Sequence, residues 1–134
     1  MGILKTVEKM DKIKIHEFDT TIYPYTLWVV VTDDINVLRE HFLDRNKDEL
    51  KGDIDSKGIT CDVVSKVNTR KYGSVIAFRD VECLSADISA HEAYHFTCSL
   101  FDYIEEKYPS EEAVVYLLEW VVKCCMSLKK KNVV

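Results

Sequence analysis

The apolar residues of this chain change their spacing near Ser85, and that change constrains the fold more than any other feature. Before it, the apolar runs are short, rich in β-branched and aromatic residues, and separated by polar turns. After it, they recur at helical spacing with one break, Tyr108-Pro109-Ser110. Strands followed by two consecutive helices define an α+β fold. The expected architecture is a small, mostly antiparallel sheet packed on a helix from Ser85 to about Lys107, with a C-terminal backing helix from Glu111 to about Lys130. Leu27 to Val31 reads as a buried strand. Lys12 to Phe18 alternates, with Ile13, Ile15 and Phe18 as inward candidates. Ile35, Leu38, Phe42 and Leu43 predict an amphipathic helix over residues 34 to 44, capped from Thr32-Asp33-Asp34. Residues 45 to 58 read as a loop. Ile59 to Val67 and Tyr72 to Phe78 read as an antiparallel hairpin around Asn68-Thr69-Arg70-Lys71.

A chain of 134 residues suits one domain over residues 1 to 134, with residues 1 to 12 as a flexible lead-in. At 47% apolar it can build a core. Asp and Glu total 23 against 18 Lys and Arg, for a net charge of -5, which argues against a nucleic-acid partner. No apolar run is long enough to span a membrane, and the N-terminus lacks a signal-peptide pattern. Met1-Gly2-Ile3-Leu4-Lys5-Thr6 matches only a loose myristoylation pattern. The five cysteines are odd in number, contain no Cys-x-x-Cys pair, and read as free thiols of a cytoplasmic protein.

The residues that carry chemistry are His91-Glu92-Ala93-Tyr94-His95, an H-E-x-x-H pattern on the predicted helix. Histidines four apart share one helical face, so their imidazoles can converge on one metal ion. Glu92 is turned by about 100° from His91 and falls beside such an ion, where it can take a proton from a bound water. These residue types at this spacing suit metal-assisted hydrolysis of an amide. A catalytic zinc needs a third protein ligand. Glu112, on the helix after the Pro109 break, is the first candidate. Glu111, Glu119 and Asp102 are alternatives. Cys98 lies on the same stripe as the histidines and reads first as a small buried hydrophobe. Tyr94, Phe96, Leu100, Phe101 and Ile104 are expected in the core, as are Val114, Leu117, Leu118, Val121 and Cys125. Trp28 and Trp120 are expected as packing anchors, and His16 and His41 at the surface.

His91-Glu92-x-x-His95 followed by Glu112-Ala113-x-x-Tyr116 resembles the gluzincin metallopeptidases. That resemblance implies zinc held by His91, His95 and Glu112, with Glu92 as general base and Tyr116 in the slot that orients a histidine. Tyr23-Pro24-x-x-Leu27-Trp28-Val29 and the Tyr-, Leu-, Trp- and Val-rich last helix are similar to small phage and bacterial proteins of this length, which look like minimal zincins. In zincins a strand beside the active-site helix binds substrate in extended form; Tyr72 to Phe78 and Leu27 to Val31 are the two candidates for it here. The function expected is a zinc-dependent hydrolase of a peptide or protein substrate. The alternative is a non-catalytic zincin-like interaction module.

Overall fold

A computed structural model describes residues 13–132. Residues 1 to 12, the lead-in with its myristoylation-like pattern, lie outside them. The fold is α+β: among the described residues it has one five-stranded mixed sheet and three α-helices. In chain order the elements are β1 (His16–Asp19), β2 (Thr26–Val31), α1 (Ile35–His41), β3 (Phe42–Asp44), β4 (Gly58–Lys66), β5 (Tyr72–Phe78), a 3-10 turn (Val81–Cys83), α2 (Ala86–Tyr103) and α3 (Glu111–Lys131). The strands lie in the order β1-β2-β5-β4-β3. Three of the four pairings are antiparallel, and β2 with β5 is parallel.

Alternation along β2 and β5 divides the interior into two layers. Leu27, Val29, Ile76 and Phe78 face the layer covered by α2 and α3, where Phe96, Leu100, Leu117, Val121 and Cys125 are buried. Trp28, Val30, Val75 and Ala77 face the opposite layer, closed by Ile35 and Leu38 of α1, Phe42, and the loop residues Leu50 and Ile54. The segment after Asp44 is therefore a loop, as expected, but it is also half of a core. Among the described residues no helix is long and apolar enough to cross a membrane.

Helix α1 stops at His41, and Phe42 and Leu43 turn into β3 instead of completing a helical face. The cause is tertiary. Phe42 pairs with Lys66 of β4, and its ring packs 5.1 Å from Trp28. The hairpin β4–β5 forms as read from the sequence. Helix α2 starts after Ser85 but ends at Tyr103, ahead of the expected Lys107, where Glu105 takes a left-handed φ of 60°. Ser110 caps α3 by accepting from the Ala113 N–H at 3.2 Å.

Tyr72 to Phe78 and Leu27 to Val31 are both interior strands with a neighbour on each side. The strand that runs beside α2 with an open edge is β4. Strand β3 covers β4 only from Val64 to Lys66, so Gly58 to Cys61 have β5 on one side and no strand on the other among the described residues.

Candidate functional site: the outer flank of helix α2 and the open edge of β4

Helix α2 is fixed from below. Ala93, Phe96 and Leu100 are fully buried, so the opposite stripe must face outward. That outward stripe is Asp87, His91, His95, Cys98 and Asp102, all exposed. The two imidazoles are neighbours, with ring centroids 5.1 Å apart. The His91 side chain is 70% exposed.

Glu92 points the other way, and the residue is only 4% exposed. Thr60 of β4 explains how a carboxylate sits there: its hydroxyl donates to Glu92 Oε1 at 2.9 Å. Gly58 makes the approach possible. A Cβ there would stand 3.0 Å from Ile88 Cγ2 and 3.4 Å from Glu92 Cγ, so a larger residue would crowd these two side chains. The second carboxylate oxygen, Oε2, lies 3.9 Å from His91 Nε2. His91, His95 and Glu92 are therefore brought together as the sequence motif implies, with the histidines outward and the carboxylate at the strand.

Glu112 is not brought to them. Helices α2 and α3 run antiparallel, with Ser89 against Met126 and Phe96 against Trp120. Glu112 thus belongs to the far end of the pair. Helix α2 continues about 12 Å past His95 before the chain turns, at 1.5 Å per residue. Glu111, Glu112 and Glu119 are exposed on α3. Tyr116 is 66% exposed and lies with Ile22, Tyr23 and Trp120, over the β1–β2 connection. Asp102 is engaged by Arg45 at 3.3 Å. Among the described residues no three His, Cys, Asp or Glu side chains are grouped so as to hold a metal ion. A gluzincin zinc needs three protein donors. The described residues bring together two of these donors, His91 and His95, and place Glu112 apart from them.

Two expectations on α2 reverse. Tyr94, expected in the core, is 57% exposed, and Cys98, expected to be buried, is exposed. The buried thiols are elsewhere. Burial pushes Cys124 and Cys125 up to about 12 and Cys61 up to about 11, so these stay protonated at neutral pH. His16 and His41, expected at the surface, are half-buried, and Nε2 of His16 has no hydrogen-bond partner among the described residues.

The backbone of β4 completes the site. The Arg79 N–H donates to Lys57 O at 3.0 Å. Residues of an antiparallel ladder alternate in direction, so Ile59 and Cys61 also bond towards β5 while Gly58 and Thr60 direct their N–H and C=O outward. Ser56 caps one of these groups by donating to Gly58 O at 3.0 Å. The opening at this edge, about 410 Å³, is lined by Lys57, Gly58, Asp87, Ile88, His91 and Glu92. Further along the same flank a bulge between Cys61 and Val64 turns Asp62 to α2, where it accepts from the Ser99 hydroxyl at 2.7 Å. A second opening of about 480 Å³ there is lined by Asp44, Arg45, Asp62, Cys98, Ser99 and Asp102. Sequence reasoning missed Thr60, Gly58 and Asp62. Their only advance signals were a glycine and two polar residues on the first strand of the hairpin that precedes the motif.

Comparison with family models, with curated proteins and with solved structures finds no match to this chain.

Proposed function

We propose that the chain is a binding module that captures an extended segment of a partner protein along the outer edge of β4. The observation that carries this reading is the outward N–H of Thr60, at a strand edge that no other strand covers among the described residues, next to a groove along α2. Peptides add to such edges through main-chain hydrogen bonds, and flanking pockets select side chains. Five acids line the two openings (Asp44, Asp62, Asp87, Glu92, Asp102) against Lys57 and Arg45, which favours a basic segment.

The test compares two substitutions at one position. Thr60→Pro deletes the outward N–H, whereas Thr60→Val keeps it and loses only the hydroxyl. Retention of an immobilised library of Lys- and Arg-containing decapeptides is expected to fall at least tenfold in Thr60→Pro and little in Thr60→Val, with circular dichroism confirming both folds. Equal retention by the two folded variants removes the edge from the reading, as does no retention by wild type.

A second reading is the zinc-dependent peptidase that the motif suggests. It is favoured by the adjacent imidazoles with a carboxylate 3.9 Å from His91. In that reading His91 and His95 bind Zn2+ with one further donor, which Glu112 does not supply here, and Glu92 accepts a proton from the attacking water. Glu92→Gln should then retain fold and metal content while lowering cleavage of a peptide library by about 10²- to 10⁴-fold. Cleavage that persists in the mutant, or is missing from zinc-loaded wild type, eliminates this reading.

A further inference from the structure

The exposed histidine pair offers two of the four donors that a tetrahedral metal site takes, on a face that a second molecule can reach. Zinc takes four donors in structural sites. His91 and His95 offer two from one rigid helix, and among the described residues the chain adds no third. The pair stands on the outer face of α2, with the His91 side chain 70% exposed and His95 also exposed. Nothing in the described fold stands between the imidazoles and an approaching partner.

The surface next to the histidine pair combines apolar and charged side chains. Tyr94 adjoins His95, with rings 6.4 Å apart, and is 57% exposed. It forms one wall of an apolar groove of about 450 Å³ between α2 and α3, lined also by Ala90, Leu118, Glu119, Val122 and Lys123. One patch thus carries an aromatic knob, a groove to receive it, one acid and one base. A two-fold contact sets the same patch against itself, so each knob meets the other copy's groove and each acid the other's base.

We propose that His91 and His95 bind zinc jointly with the same pair of a second copy, so that one zinc ion joins two chains across the outer face of α2. The inference is independent of the β4-edge reading. It differs from the peptidase reading in stoichiometry, one zinc per two chains instead of one per chain.

The test is sedimentation of untagged full chain under reducing conditions, first with chelator and then through a zinc titration. The expected result is a mass near the 15.5 kDa of one chain with chelator, doubling as zinc reaches half an equivalent per chain. The double variant His91→Ala/His95→Ala should remain at one chain and bind no zinc at this affinity. Both changes are at exposed positions, so the fold should survive. Tyr94→Glu should leave the histidines intact yet weaken zinc-dependent pairing at least tenfold. One zinc per chain with no change in mass would overturn the proposal and favour a self-contained metal site. It is equally overturned if the mass ignores zinc, or if pairing persists in the double histidine variant.

Discussion

Trp28→Ala is expected to lower unfolding stability by about 3 to 5 kcal/mol. Trp28 lies on β2, an interior strand, and is fully buried in the layer closed by α1 and the residue 45–57 loop. Its ring packs on Phe42, the residue that redirects the chain from helix to strand. Its indole N–H donates to Glu17 Oε1 at 2.8 Å and so ties the edge strand β1 to the centre. Truncation opens a cavity at the largest side chain of that layer and leaves it without its bond to β1. Trp28→Phe keeps most of the volume and should cost about half as much or less. Urea unfolding followed by circular dichroism measures both, read as a shift in midpoint at unchanged slope. A loss below about 1 kcal/mol for the alanine variant would mean that this layer is not a true core.

Gly73→Ala should have an effect of similar size from a single added carbon. Gly73 pairs with Thr26 across the parallel seam between β2 and β5. A Cβ at that position would stand 1.9 Å from Thr26 O and 2.7 Å from Thr26 C. Both are backbone atoms of an interior strand, so neither can move aside as a flexible side chain would. The seam must widen locally, losing ladder bonds and the packing of Leu27 and Val29 above it. The expected loss is about 3 kcal/mol or more, at the upper end for overpacking. A domain of this size has roughly 5 to 15 kcal/mol in total, so soluble yield should also fall. A Gly73→Ala protein that unfolds at the wild-type urea midpoint would show the seam to be looser than described.

The elements legible in the sequence are those specified locally. Leu27 to Val31 is apolar over a strand's length, Asn68 to Lys71 separates two strand-like runs, and Ser110 follows a proline at a helix start. Each signal lies within a few residues of its effect. Strand β3 was illegible because Phe42 continues the helical spacing of Ile35 and Leu38, and only its pairing with Lys66 makes it extended. The strand order was illegible for the same reason. It depends on β2 meeting β5, which no spacing encodes.

The site divides along the same line. Helical spacing does place His91 and His95 on one face with Glu92 turned away from them, and the structure has that arrangement. Spacing does not say which way the face points. That depends on where the sheet and α3 lie, and with both on the buried side the stripe turns to solvent. Tyr94 and Cys98, misjudged as core, are consequences of this one rotation. Whether Glu112 reaches the histidines depends on how far α2 runs past His95, and its end at Tyr103 is set by local backbone rather than by any signal in the motif.

The alternation of β2 and β5 ties the two layers into one cooperative unit. Leu27 and Val29 belong to one layer and Trp28 and Val30 to the other, so neither can lose its strand without exposing its neighbour's. The local hairpins, β4 with β5 and α2 with α3, can each form from neighbouring residues, whereas the meeting of Thr26 with Gly73 closes a long stretch of chain. Loop closure must come before the burial that rewards it. The two layers are therefore expected to melt together in one transition, with closure of the seam between two distant strands expected as a slow step in folding.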